Sequence, residues 1–275
     1  MPASRARPSR TTRFHQLHER GCFVMPNPWD PGTARAFAQM GFPALATTSA
    51  GAAWSLGLAD NAVDLETMLA HLATMAAAVG VPVNADFEGG FAIAPEDVAV
   101  NVTRGCATGV AGLSIEDSTG HASSPLLDRE LAVERLHAAR AAIDDTGTGV
   151  LLTARSEGFF VGRPDLDETI ARLVAFARAG ADCVYAPGVR DRDQIRAIVD
   201  AVRPTPVNLL ASGPFITVEE AAAIGVRRIS VGGALARVAW AGTLAAAAEI
   251  AEHGTFGTLA TGTPSSDLNR RFGGA

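Results

Sequence analysis

Two acidic clusters follow short apolar runs in this 275-residue chain: Asp86 and Glu88 after Val81-Pro82-Val83, and Glu116-Asp117 after Gly112-Leu113-Ser114-Ile115. If the two strands are neighbours, their carboxylates converge, and a hard divalent cation would offset the repulsion. Asp86 and Glu88 lie two apart, so both point to one side while strand geometry persists. Mg²⁺, with Mn²⁺ as an alternative, prefers oxygen ligands and keeps several waters, so one direct carboxylate with others acting through water would suffice. Helix caps or solvated loop acids are the plainer reading of Asp86 and Glu88 taken alone.

Arg155 ends the run Leu151-Leu152-Thr153-Ala154. A guanidinium at the end of a buried strand needs an anion, either a substrate carboxylate or a neighbouring acid such as Glu157, Glu116 or Asp117. Thr48, Ser49 and Ala50 belong to a small-residue turn whose hydroxyls and N–H groups can approach a carboxylate or oxyanion. Asp60 stands either at the edge of such a site or as the cap of the next helix. Asn208 binds a carboxylate or keto oxygen, or is a satisfied core amide. His121 falls in a polar loop after the fourth strand, which forms either a lid or a plain solvent loop.

Such residues need elements to hold them. Short β-branched or apolar runs alternate with longer segments of helical periodicity. Strands are predicted near Cys22–Met25, Ala44–Thr47, Pro82–Ala85, Gly112–Ile115, Val150–Thr153, Cys183–Tyr185, Val207–Leu210 and Arg228–Val231. Gly41, Gly180 and Gly225 each precede a strand as helix C-caps. Eight such units predict an α/β (β/α)8 TIM barrel. A doubly wound sheet is the competitor, but the first strand runs into Pro26-Asn27-Pro28-Trp29-Asp30 rather than a glycine-rich phosphate turn. Polar tips after several strands favour the barrel. The expected organisation is a flexible basic arm over 1–20, a catalytic barrel over 21–256 and a tail over 257–275. A helix is predicted over Leu235–Glu249.

Composition removes several function classes. With 48% hydrophobic residues, the chain can bury a large core, and its formal charge of -6 provides no field for nucleic acid. Gly, Pro or charge interrupts each apolar run, so no membrane span is expected, and a soluble cytoplasmic protein follows. Cys22, Cys106 and Cys183 read as reduced core thiols. All 23 basic residues counted as Lys or Arg are arginine. Schiff-base, pyridoxal-phosphate and P-loop chemistry each need a lysine amine and are excluded.

The motifs Thr48-Ser49-Ala50-Gly51, Ser55-Leu56-Gly57-Leu58-Ala59-Asp60, Pro82 to Gly90, Gly112 to Asp117 and Thr153-Ala154-Arg155 resemble, in order and spacing, those of the isocitrate lyase/phosphoenolpyruvate mutase superfamily. The resemblance covers about Phe23 to Phe256. It implies a barrel with Mg²⁺ at its strand C-termini, and small 2-oxo or 2-hydroxy carboxylates as substrates. It also implies a homo-oligomer, dimer or dimer of dimers, that swaps its last helix. By position, Asp86 matches the acid nearest the metal, Glu88 and Glu116 those acting through water, and Asp60 an acid beside them. Thr48, Ser49 and Ala50 match the anion-binding turn, and Arg155 the substrate-binding arginine. Glu88 stands where the family usually has aspartate. The loop Ser118–Pro125 lacks the Lys-Cys-Gly-His signature of the isocitrate and methylisocitrate lyases, and the Lys and Asn of the phosphonopyruvate-processing lid. The resemblance therefore implies carbon–carbon cleavage, most simply decarboxylation of an oxaloacetate-like acid through a metal-stabilised enolate, with His121 as a possible proton donor. Phosphonopyruvate chemistry and a non-catalytic binding barrel are the alternatives.

Overall fold

In a computed structural model describing residues 8–273, eight strands alternate with helices. The strands are β1 Phe23–Met25, β2 Leu45–Ala46, β3 Val83–Asp86, β4 Gly112–Glu116, β5 Leu151–Arg155, β6 Cys183–Tyr185, β7 Val207–Leu210 and β8 Arg228–Ser230. The helices are α1 Arg10–Glu19, α2 Pro31–Gln39, α3 Ser49–Ser55, α4 Leu65–Ala78, α5 Pro95–Ala107, α6 Arg129–Thr146, α7 Leu166–Arg178, α8 Arg192–Val202, α9 Val218–Ala223, α10 Ala234–His253 and α11 Ser265–Phe272. All neighbouring strands are parallel, in the order β1-β8-β7-β6-β5-β4-β3-β2. The circle closes where Ala46 N–H donates to the Pro26 carbonyl at 3.1 Å and Asn27 Nδ2 to the Thr47 carbonyl at 2.8 Å. This is the predicted (β/α)8 barrel.

The helix ends fall where the glycines were expected. Gly41, Gly180 and Gly225 adopt φ of 90°, 101° and 93° just past α2, α7 and α9, a region an L side chain resists. Leucine, valine and alanine from the strands and inner helix faces form the main core between sheet and helix ring. Buried Arg135 on α6 donates to the carbonyls of Gly89, Ala92 and Glu116, fixing the β3–α5 loop against the end of β4.

Both ends of the chain differ from the sequence expectation. The segment expected as a flexible arm forms α1 from Arg10, capped by Ser9 accepting from Thr12 N–H. Phe14 and His18, four apart and so on one helix face, enter the barrel floor among Phe23, Met25, Leu151 and Cys183. Arg5 and Arg7 lie outside the described residues. Within the expected tail, a 3-10 turn spans Gly257–Thr261, and α11 reaches α2, where Gln39 Nε2 donates to the Arg271 carbonyl at 2.9 Å. Among the described residues one helix, α10, is long and apolar enough by length and composition alone to cross a membrane, although Arg237, Glu249 and Glu252 interrupt it.

Candidate active site

The C-terminal strand ends carry the site. Register places Glu116 beside Arg155, Arg155 beside Tyr185, Tyr185 beside Asn208, and Asn208 beside Arg228, so one row of side chains winds across five strands. Arg155 is the hub. Its Nη1 pairs with Asp86 Oδ1 at 2.6 Å, its Nη2 with Glu116 Oε2 at 3.0 Å and its Nε with Glu157 Oε1 at 2.9 Å. Its guanidinium also lies 5.4 Å from the centre of the Tyr185 ring.

Asp86 Oδ2 faces the small-residue turn, accepting from the Ser49 amide at 3.0 Å and the Ser49 hydroxyl at 2.9 Å. The Thr48 side chain is already engaged, because its Oγ1 caps α3 by accepting from Gly51 N–H at 3.2 Å. The Ala50 amide between those two has no acceptor among the described residues. Asp60 comes to the same place, with Ser49 Oγ 3.4 Å from its Oδ1. It does not cap the following helix; Asp64 does, accepting from Thr67 N–H at 2.8 Å.

Glu88 departs from the expected geometry. β3 ends at Asp86, and Glu88 has φ of 47°, so the period-two rule no longer governs its direction. It remains electrostatically tied to the cluster. Burial first, then Asp86 and Asp60, push its carboxyl up to about 8, and its Oε1 is buried without a hydrogen-bond partner. Burial also raises Glu116 well above the usual carboxylate range against the pull of Arg155, while Glu157, Asp86 and Glu88 add to the rise. Glu157 and Asp60 are raised too, chiefly by burial. Burial opposes the charge on Arg155, but Glu116, Glu157 and Asp86 hold it charged and raise it overall.

Of the five clustered acids, Asp86, Glu116 and Glu157 pair with Arg155 while Asp60 and Glu88 do not, and one buried carboxyl oxygen has no partner. The mutual repulsion that helps to raise these acids would be relieved by a cation. Among the described residues no three His, Cys, Asp or Glu side chains stand in a ready ligating group. Arg155 now occupies the space between Asp86 and Glu116. The donor set, oxygen only, is of the kind that suits Mg²⁺ or Mn²⁺. Asp117 takes no part: it turns outward, pairs with Arg172 at 3.0 Å and accepts from Glu157 N–H at 2.8 Å, bracing the strand ends.

A cavity of about 320 Å³ opens beside this cluster, lined by Ser49, Ala50, Asp60, Asp86, Arg155 and Asn208 among others. The size suits a small acid. An adjoining cavity of about 360 Å³ shares Ser49, Asp60 and Arg155 and adds Glu116, Glu157 and His121. His121 belongs to a flap, Ser118–Leu126, closed on itself by Thr119 N–H to the Pro125 carbonyl at 3.0 Å. Asn208 is a satisfied amide: it donates to Ser230 Oγ and accepts from Arg228 Nε, each at 2.9 Å. The aromatic lining of the main cavity is Trp54, Phe160 and Tyr185.

Three contributors were missed from sequence. Glu157 was treated only as a partner for Arg155; it is 2% exposed and completes the acidic set. Arg237 lies on the first turn of α10 at the cavity mouth, exposed and outside every ion pair among the described residues. Arg228 lines the floor. Its signal was readable: a charge at the head of an apolar run, where a barrel strand should point inward.

A family model described as phosphoenolpyruvate phosphomutase matches residues 14–251. Oxaloacetate decarboxylase of Paraburkholderia xenovorans (strain LB400) is 31% identical over 228 residues, 79% of this chain and 73% of that protein. A solved structure described as a candidate lyase/mutase from Burkholderia cenocepacia J2315 superposes with a TM-score of 0.92 at 48% identity, covering 96% of this chain and 95% of that one. Oxaloacetate acetylhydrolase in complex with the product oxalate superposes with a TM-score of 0.84 at 29% identity, covering 96% and 93%.

Proposed function

Because the chain belongs to the phosphoenolpyruvate phosphomutase family, we propose that it works as a divalent-cation lyase on a small 2-oxo or 2-hydroxy carboxylate. The favoured reaction is decarboxylation of an oxaloacetate-like acid. The observation that carries this reading is the acidic cluster around Arg155, of which Asp60 and Asp86 line the cavity of about 320 Å³ and Glu116 and Glu157 the adjoining one, with half-buried Glu88 repelled by Asp86 and Asp60. The similarity to an oxaloacetate decarboxylase and an oxaloacetate acetylhydrolase points the same way.

A bound Mg²⁺ would supply Lewis acidity toward the 2-oxo and carboxylate oxygens of the substrate. The protein's own residues do the rest. Asp86 is oriented by the Ser49 amide and hydroxyl, which keeps its carboxylate fixed in the cavity wall. The free Ala50 amide offers a donor to a substrate carboxylate oxygen. With a cation neutralising part of the acidic set, Arg155 can turn a donor toward the substrate anion. Exposed Arg237 at the mouth draws anions in. After loss of CO₂ the enolate carbon needs one proton. No cysteine lines either cavity among the described residues, so a thiol donor is disfavoured; water or His121 from the flap fills the role.

The test is pyruvate release from oxaloacetate by the whole protein with Mg²⁺ or with a chelator. Release should fall to background with chelator and drop at least roughly 100-fold in Asp86→Asn. Equal rates in all arms would refute the reading. Carbon–phosphorus chemistry is the second reading, favoured by the matching family itself. Conversion of phosphonopyruvate followed by ³¹P NMR separates it from decarboxylation.

A further inference from the structure

Arg228 opens β8 and is 1% exposed, yet among the described residues no carboxylate pairs with it. Its Nε donates to Asn208 Oδ1 at 2.9 Å, its Nη2 to Thr153 Oγ1 at 2.9 Å, and its Nη1 to His18 Nε2 at 3.3 Å. All three acceptors are neutral. His18 Nδ1–H donates to the Phe14 carbonyl at 2.8 Å, which leaves Nε2 bare to accept. The ionisable groups that act on Arg228 are Cys183 and Tyr185, both held protonated by burial. Arginine keeps its proton even so, and three of its five N–H donors are spent.

The other buried guanidiniums are better compensated. Arg155 has three acids, Arg172 has Asp117 and Glu168, and Arg135 has three carbonyls. A buried cation without a counter-ion is costly, and a barrel floor is ordinarily filled by valine, isoleucine or leucine. Here that layer holds a charge and lines the same cavity as Arg155 and Ser49. Its height is fixed as well. Thr153 precedes Arg155 by two residues on β5, so the Arg228 guanidinium reaches β5 one layer below Arg155, about 7 Å along the strand. A four-carbon dicarboxylate can span that separation.

We propose that Arg228, carried by Asn208, Thr153 and His18, is the floor subsite for the second anionic group of the substrate. The substrate is then a dicarboxylate, with its reacting end at the acidic strand tips and its far carboxylate directed down the barrel axis. This rests on the proposed function only in taking small carboxylates as the ligand class. Arg228 contacts no acid of the cation site, so it sets specificity rather than cation binding.

Binding without turnover tests it, in Mg²⁺ buffer, by calorimetry with malate and with 2-hydroxybutanoate, which differ in the far carboxylate. The wild type should prefer malate roughly 10- to 100-fold, the value of a charge-assisted buried hydrogen-bond pair. Arg228→Met, chosen for its similar length, should melt cooperatively and bind the two within about threefold, with 2-hydroxybutanoate affinity kept. An unchanged preference in a folded Arg228→Met, or no binding of either acid to the wild type, overturns the proposal. A wild-type crystal structure with malate gives a reading independent of that variant's folding. The far carboxylate on Arg228 supports the subsite; the far carboxylate on Arg237 or the flap refutes it. Failure of oxaloacetate decarboxylation with malate preference intact would sink the assigned reaction and leave the subsite standing.

Discussion

Glu88 shows how one residue records the crowding of acids at the strand tips. Its backbone sits at φ of 47°, a conformation that costs about 1–3 kcal/mol for a residue other than glycine, and its carboxylate is pressed against Asp86 and Asp60. The folded protein holds this proton up to about pH 8, whereas the unfolded chain releases it near the ordinary glutamate value of 4.5. Between those limits the native state holds more protons than the unfolded state, so stability falls as pH rises. Glu116 and Asp60, also raised, add slopes of the same sign. Metal-free protein should therefore melt at a higher temperature at pH 5.5 than at pH 8.5, and Glu88→Gln should flatten that difference. A divalent cation should raise the melting temperature most at the alkaline end. A wild-type melting temperature that is level across the window, or a slope unchanged in Glu88→Gln, contradicts this account. The sequence set Asp86 and Glu116 on strand tips that converge if the strands are neighbours and offered Glu116 and Glu157 among the partners of Arg155, but it did not offer Asp86, which Arg155 reaches across from β5 to β3. It did not foretell the turn of Glu88, which begins where the strand ends and period two stops applying.

The element whose role was hardest to read is α1. Its arginines suggested a solvated arm, yet Arg10 and Arg13 spend their charge on the carbonyls of Ala76, Val79 and Gly80, at and beyond the end of α4. A single apolar face of Phe14, Leu17 and His18 docks into the barrel floor. Local composition could not show this, since beyond neighbouring Phe23 the partners Leu151 and Arg228 come from distant strands. The strands themselves were legible to within two residues at each end, because buried parallel strands leave uninterrupted apolar runs and the glycine caps mark where they start. Docking α1 through a neutral imidazole gives it an acid limit. Burial, then the Arg228 charge, pushes His18 down to about 3, so it stays neutral in the fold while the unfolded chain takes up a proton below 6.5. The unfolded state then binds more protons, and stability is lost as pH falls from 6.5 toward 3. His15, Arg227 and Arg228 face the ring and oppose its protonation. In His18→Gln, which keeps an acceptor for Arg228 but does not titrate, the melting temperature should gain more, or lose less, between pH 7 and pH 4.5 than in the wild type, because the raised acids act in both proteins and the imidazole in only one. An equal change in both would show that His18 sets no acid limit.

For the whole molecule, the unbalanced surface is α10. Ala236 is its one buried residue, while Val238, Leu244 and Trp240 are 70%, 59% and 40% exposed, and beyond the helix Phe256 and Leu259 are 63% and 55% exposed. A 20-residue helix with so little of its apolar surface covered contrasts with α7 and α8, each of which buries four residues against the barrel. Apolar surface of this extent marks an association site, and burying it would contribute about 25 cal/mol per Å². The groove beside it is lined by Trp54, Leu58, Val238, Trp240 and Leu244, and it adjoins the main cavity through Trp54, Ala234 and Arg237. Association through α10 would then shape the mouth of the site as well as cover the helix. The protein should sediment as a multiple of its 28.4 kDa chain, a dimer or tetramer, rather than as a monomer. Val238→Glu with Leu244→Arg, two charges on the exposed stretch and none in the cavity, should shift it toward monomer at micromolar concentration. The monomer should keep its barrel circular-dichroism signal and lose substrate affinity more than cation affinity, because α10 carries the cavity-lining Ala234 and Arg237 but none of the acids. A wild-type protein that sediments as a monomer at all concentrations, or a charged variant that stays assembled, would show that this helix is not where copies of the chain meet.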